Sequence, residues 1–359
     1  GLIAALAARY SQRHIEGFTI DFPDYDRANS EVESAKYLAS DLGIGFSKVS
    51  ISKDDITVDL LEQFCSAFDE PLGDPVCFPN YLLARAMSSS NYRVALVGEG
   101  ADELFCGYSW WFLNLKLERA RALISEIGLS SILTPSLKVF QKGKLEYMSR
   151  LLSSTMPVFR GGANIVFRNE LNNLIGVEAL KGGPVDRAID KRLGGEYKNF
   201  RVARDYFDRE TMDWMTFIDV KQRLPELLLA RTDTMMMSSS IEARVPFMSD
   251  QIIQMAFKIP PSKKAAGQVP KLLLKQVAGR YLPEKTVYQT KKGFALPVLS
   301  VVQTPKLLEF MHGSIANFFE SSNWIDARSN PMSKIRKMSP EAVWAIFVYS
   351  MGHKSKPSG

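Results

Sequence analysis

Strands and helices alternate through the first hundred residues, and that alternation restricts the chain to few architectures. The apolar spacing predicts a helix over 2–10, a strand over Ile15–Ile20 and a helix running to Leu42. A second strand follows near Phe46–Ile51, then helices over Leu60–Phe68 and Asn80–Met87, and a third strand over Tyr92–Val97. Strands joined by helices at this spacing imply a parallel sheet with helices on both faces. Ligands in such sheets bind beyond the carboxyl ends of the strands. Ser30-Glu31-Val32-Glu33 reads as a capping box that opens the second helix, and Gly43 supplies its left-handed stop.

From about residue 112 the β signal fades. Residues 125–200 are mixed and carry no legible chemistry, whereas 201–359 read as helices broken at Pro225, Pro246, Pro260-Pro261, Pro270 and Pro283. The expected layout is therefore an α/β core over 1–125 and a mainly helical remainder over 126–359. A length of 359 residues suits two units of this kind. The balance of 45 Lys plus Arg against 39 Asp plus Glu gives a net charge of +6, but the basic residues are scattered. A solvated surface explains them better than nucleic-acid binding. Cys65, Cys77 and Cys106 are odd in number and form no C-x-x-C, which argues against a disulfide framework or structural zinc and suits a reducing cytoplasm. His14, His312 and His353 lie too far apart in sequence to suggest a metal cluster. No signal peptide is visible and no apolar run reaches the length of a membrane span.

Chemistry concentrates in Val94-Ala95-Leu96-Val97-Gly98-Glu99-Gly100-Ala101-Asp102-Glu103-Leu104-Phe105, where a buried strand ends in Gly-Glu-Gly and turns into a helix. The glycines let backbone approach a ligand, and helix amides favour an anion. Glu99, Asp102 and Glu103 crowd that helix end. They either complement its dipole or form a metal–phosphate site, and the second reading is preferred because Mg²⁺ takes one or two carboxylates plus phosphate oxygens.

Val97–Tyr108 resembles the Ser-Gly-Glu-Gly-Ala-Asp-Glu-Leu-Phe-Gly-Gly-Tyr motif of asparagine synthetases. Further matches follow in the family's order. Asp69-Glu70-Pro71 with Asp74 resembles its Asp-Glu-Pro loop. Leu224-Pro225-Glu226-Leu227-Leu228, Arg231, Asp233 and Ser240–Phe247 resemble its central helical signature. Lys291-Lys292-Gly293-Phe294 with Pro297 resembles its Lys-x-Gly-Phe loop, and Trp344 fits its terminal helix. The resemblance covers about 1–110 and 205–350. It implies an α/β fold of the adenine nucleotide alpha hydrolase-like, PP-loop ATPase type, followed by a mostly helical region. In that family a Ser-Gly-Gly-x-Asp-Ser loop precedes a helix like 2–10, so the chain is expected to begin just after the first strand and pyrophosphate loop. The resemblance implies an amino-terminal glutaminase domain that this sequence is likewise expected to lack, and the chain alone is expected to be inactive.

The reaction that the resemblance implies is ATP-dependent amide formation in the cytoplasm. Aspartate becomes β-aspartyl-AMP with release of pyrophosphate, and ammonia, drawn from glutamine by the glutaminase domain, then attacks. The resemblance assigns Asp102 to Mg²⁺, Lys291 to the developing negative charge and Glu99 to the proton that ammonia loses. It places Ile20 beside the adenine and Gly98 beside the ribose. It implies neither a nucleic-acid nor a membrane partner, and leaves a homodimer open. The runner-up is a related adenylating amidotransferase or cyclising synthetase that acts on a peptide, sugar or β-lactam precursor. Glu99 speaks partly against the β-lactam branch, whose members carry Tyr there. A third reading is a degenerate scaffold, against which Glu99, Asp102 and Lys291 all argue.

Other residues carry plainer expectations. Glu242 and Arg244 read as a buried ion pair bracing the helical half. Glu226 is either a carboxylate near the site or a helix-face charge, and Met235-Met236-Met237 reads as core. Ile20 could equally be strand core, and Lys291-Lys292 a solvated pair. The sequence departs from the family at Val97 for Ser, Cys106 for Gly, Thr234 for Arg and Met248-Ser249 for Leu-Asp.

Overall fold

A computed structural model describes residues 1–24, 31–126, 159, 161–162, 184–202, 211–289, 304–322 and 331–354. Helix α1 (Leu2–Tyr10) leads into strand β1 (Glu16–Asp21). Helix α2 (Val32–Leu42) ends at Gly43, whose φ of 63° and ψ of 30° give the expected left-handed cap. The structure makes Glu31 the N-cap of α2, and Ser30 of the expected capping box lies outside the described residues. Strand β2 (Gly45–Ser50) pairs in parallel with β1, from Glu16 opposite Gly45 to Asp21 opposite Ser50. Helices α3 (Val58–Cys65) and α4 (Cys77–Ser89) follow, then strand β3 (Val94–Leu96) and the short helix α5 (Ala101–Leu104). Thr57 caps α3 with its hydroxyl, which accepts from the Leu60 amide at 3.2 Å.

Among the described residues the strands do not form one continuous sheet. They form two parallel pairs, β1–β2 and β3–β4, the latter completed by β4 (Glu242–Arg244) from the far half of the chain. Between β1 and the start of β3 the contact is through side chains, with Phe18 and Tyr92 edge to face at 5.3 Å. The single-sheet expectation is thus corrected to two ladders, and the second was illegible because its partner strand is only three residues long.

The remaining described helices are α6 (Ser109–Glu126), α7 (Pro184–Val202), α8 (Thr211–Ile218), α9 (Ala230–Met237), α10 (Asp250–Lys258), α11 (Pro261–Lys264), α12 (Leu272–Ala278), α13 (Glu284–Val287), α14 (Pro305–Ser322), α15 (Pro331–Ile335) and α16 (Pro340–Lys354). None of them is long and apolar enough to cross a membrane. A π-helical stretch, Asp219–Leu229, joins α8 to α9 without interruption. Pro225 therefore does not end the helix, contrary to the sequence expectation. Proline lacks an N–H and crowds the carbonyl four residues back, and the wider i→i+5 turn relieves both demands.

Two aromatic cores hold the structure. In the first, Trp344 of α16 stacks on Phe64 of α3 at 5.6 Å and meets Phe78 of α4 at 6.0 Å. All three rings are fully buried, which fits the expected place of Trp344. In the second, Trp111 and Trp214 are buried with Phe159, Phe200 and Met215, and the Trp214 indole donates to the Phe159 carbonyl at 2.8 Å. Met235 and Met236 are core as expected, but Met237 is exposed. The three cysteines are buried and unbridged.

The loop that leads into α4 is pressed against α16. A Cβ on Gly73 would lie 2.8 Å from Ala345 Cβ, and one on Gly352 would lie 3.2 Å from Pro71. Overpacking of this kind typically costs about 1–3 kcal/mol. Gly73→Ala is expected to lower the unfolding free energy by that amount in denaturant titration. Unchanged stability would show that the loop can lift off α16.

Candidate functional site

The site lies where β3 runs into α5. Val97 donates to the Arg244 carbonyl at 3.0 Å, which extends the ladder one residue beyond β3. The chain then reverses at Gly100, whose φ of 85° belongs to the left-handed region. A Cβ there would also meet Met248 Sδ at 2.6 Å, so both conformation and packing require glycine. Gly98 faces open space and is exposed.

The three carboxylates do not converge. Glu99 Oε1 accepts from Arg231 Nη2 at 2.9 Å and from Thr232 Oγ1 at 3.5 Å. The other end of the same guanidinium, Nη1, donates to Asp74 Oδ2 at 2.6 Å. Asp102 Oδ1 pairs with Lys271 Nζ at 3.0 Å. Glu103 is buried, accepts from the Tyr108 hydroxyl, and lies 3.5 Å from Arg223 Nη1. Among the described residues no three His, Cys, Asp or Glu side chains are grouped to hold a metal. The three carboxylates therefore do not share one site. Spaced one and three residues apart across a turn, the side chains leave the backbone in different directions, and each finds its own cation.

Asp102 is fixed by its surroundings. A Cβ on Gly107 would fall 1.9 Å from Asp102 Oδ1, so glycine is needed there for close approach. Cys106, which stands where the family resemblance expects glycine, has a φ of 56°. A non-glycine residue in that region costs of order 1–2 kcal/mol. Its carbonyl accepts from the Lys271 amide at 3.4 Å, and Lys271 itself has a φ of 54°. Helix α1 is nearby, with Leu2 and Ala5 packed in one cluster with Ala278 of α12, the helix that Lys271 caps.

Beneath Asp102 lies a second charged group. Arg223 lies over the Tyr108 ring at 4.5 Å, between Glu103 and Asp219, with Asp219 Oδ2 at 3.7 Å. Burial pushes the Glu103 carboxyl above its ordinary range, and it pushes the Tyr108 hydroxyl up as well. Asp219 is fully buried and its pKa rises to about 7. Burial is the largest cause, and the attraction of Arg223 opposes it.

Several expected residues fall elsewhere. Ile20 is half-buried on β1 and packs against the first core. Glu242 and Arg244 do pair, at 2.9 Å, but both are exposed, at 59% and 60%. The buried-brace reading is corrected, because β4 turns these two side chains to the same, outer face. Glu226 is exposed and pairs with Arg192. Lys291 and its loop lie outside the described residues. Sequence reasoning missed Lys271, Arg223 and Asp219. The i,i+4 spacing of Asp219 and Arg223 was a readable signal, whereas nothing in sequence marked Lys271.

The chain matches the family described as asparagine synthase over residues 1–329, and it belongs to that family. It is 30% identical over 274 residues to asparagine synthetase [glutamine-hydrolyzing] 1 of Bacillus subtilis, covering 75% of this chain and 40% of the relative. Relatives from Mycobacterium bovis and Mycobacterium tuberculosis, provisionally assigned as glutamine-hydrolysing asparagine synthetases, are 26% identical over 326 residues. That match covers 88% of this chain and 46% of theirs. The chain thus spans less than half the length of these relatives.

The raised pKa of Asp219 sets a pH test. The folded state keeps a proton that the unfolded chain releases between its ordinary value of 3.8 and about 7. This group's contribution to stability is therefore full below about pH 4 and lost as pH rises through 7. Asp219→Asn should gain on the unsubstituted protein as pH rises, with a larger stability difference at pH 8 than at pH 5. An equal difference at both values in denaturant titration would count against a protonated Asp219.

Proposed function

We propose that this chain carries the amide-forming half of an ATP-dependent asparagine synthetase. Its substrate is aspartate, activated as β-aspartyl-AMP, and its nitrogen source is ammonia delivered from glutamine by a glutaminase domain. The observation that carries the reading is the pair of anchored carboxylates beyond β3. Glu99 is tied to Arg231 and Asp102 to Lys271, within the segment that resembles the family's nucleotide motif.

The residues fit a nucleotide with Mg²⁺. The start of α1, an end that attracts anions, belongs to a helix packed against α12, the helix that Lys271 caps. The open face at Gly98 gives room for the ribose, with the adenine against the backbone near Ile20. A single carboxylate, Asp102, suits a metal that keeps most of its ligands from phosphate and water. When bound there, Mg²⁺ would neutralise charge on the departing pyrophosphate. Lys271 holds the Asp102 carboxylate in place and offers a cation to the phosphates. Lys291 is assigned, by the resemblance, to the negative charge that grows as the acyl-adenylate forms.

In the second step the ammonia nitrogen attacks the acyl carbon, a C–N bond forms, and the bond from carbon to the AMP oxygen breaks. Glu99 takes the proton that the nitrogen sheds. Its Oε1 is already engaged by Arg231 and Thr232, which leaves Oε2 as the accepting atom.

Two measurements in the complete protein that carries this chain test the reading. Asp102→Asn should lower pyrophosphate release from ATP and aspartate at least about a hundredfold, because a neutral amide is a poor Mg²⁺ ligand. Normal turnover with unchanged Mg²⁺ dependence would reduce Asp102 to a partner of Lys271. Lys291→Ala should lower kcat by roughly 10²–10³ with nucleotide affinity nearly intact, whereas Lys292→Ala should be mild. Equally small effects at both positions would favour a solvated lysine pair.

A further inference from the structure

The Glu99–Arg231–Asp74 cluster contains more negative charge than a simple brace requires. One guanidinium faces two carboxylates, at 2.6 Å on Nη1 and 2.9 Å on Nη2. A brace needs one carboxylate per cation. The surplus charge is carried where the cluster opens, since the Glu99 side chain is 26% exposed against 12% for Asp74 and 9% for Arg231. The inner carboxylate is fully used. Asp74 Oδ1 accepts from the Val76 amide at 3.0 Å, its own carbonyl accepts from Cys77 at 3.0 Å, and the preceding Gly73 is wedged on Ala345 of α16. The outer carboxylate is not. Every hydrogen bond of Glu99 among the described residues falls on Oε1.

The geometry points to Arg231 as a positioning residue for Glu99, with the Asp74 loop as its anchor; this rests on the assignment of Glu99 as the base. The planar fork of the guanidinium fixes the angle between its two partners. Asp74, held by α4 and α16, fixes the fork, and the fork fixes Oε1. Oε2 is then constrained on the open side of the cluster, where a proton acceptor must wait for ammonia. Adenylation does not use this arrangement, so Arg231 should govern what becomes of the acyl-adenylate rather than how fast it forms. A misplaced Glu99 leaves the acyl-adenylate to water, which returns aspartate and AMP without amide after pyrophosphate has already departed.

The test counts two products in the complete protein supplied with ATP, Mg²⁺, aspartate and ammonia. In Arg231→Lys the ammonium keeps a charge but cannot fork. Pyrophosphate release should fall by no more than about threefold, and amide formed per pyrophosphate should fall about tenfold or more. Asp74→Asn should shift the same ratio in the same direction by a smaller factor. An unchanged ratio in Arg231→Lys, or a parallel fall of both products, would overturn the proposal by showing either no role or a merely structural one. If Arg231→Lys fails to fold, as judged by its thermal unfolding, the ratio in Asp74→Asn decides by the same criteria. Glu99→Gln separates the two claims. A wild-type ratio in that variant removes Glu99 as the base, whereas a collapsed ratio there with an unchanged ratio in Arg231→Lys defeats only the positioning role.

Discussion

Arg231 reaches two carboxylates that arrive from separate stretches of chain, Asp74 ahead of α4 and Glu99 after β3, while its own backbone belongs to α9. Three segments far apart in sequence are thereby held at one point. A guanidinium buried to this degree is costly to desolvate, and the attraction of its two carboxylate partners offsets that cost. Removing one partner of such a group typically costs about 3–5 kcal/mol, because the remaining charge is stranded. The packing of α4 on α9 and the ladder between β3 and β4 both converge on this point, as does the fit of the Asp74 loop on α16.

The turn after β3 shows how closely backbone and side chains are matched. Gly100 reverses the chain, α5 lasts one turn, and Cys106 reverses it again with a positive φ. Gly107 then passes so near Asp102 that no side chain could stand there. Cysteine at 106 sits in a backbone conformation that favours glycine, and the site tolerates it with the side chain completely buried in the second aromatic core. A small, weakly polar side chain fits such a position.

The alternation of strands and helices was legible because local periodicity and glycine stops encode it. Strands β1 and β2 and the cap at Gly43 lie within a residue or so of where the spacing puts them. The site residues were legible by type and not by direction. Glu99, Asp102 and Glu103 are adjacent in sequence, yet each turns to a cation whose position only the tertiary fold sets: Arg231, Lys271 and Arg223. The same limit explains Glu242 and Arg244, whose i,i+2 spacing fixes a shared face but not which face is covered. Pro225 was misread because its usual effect presumes an α-helical ladder, and here the ladder is wider. Lys271 had no local signal at all, since its left-handed backbone and its contact with Asp102 are both consequences of the assembled core.

The pairing of Val94 with Glu242 has a consequence for how the chain is made. These partners are separated by roughly 150 residues, so the loop between them must close before the ladder can reward it, and such contacts form late. The pairing of β1 with β2 spans only about 30 residues and can form as soon as both have left the ribosome. At synthesis rates of about 5–20 residues per second, β3 waits on the order of ten seconds or more for its partner. Through that interval β3 is an unpaired strand with the apolar Val94 and Leu96 on its outer face, the feature a newborn chain must keep from neighbouring chains until β4 arrives.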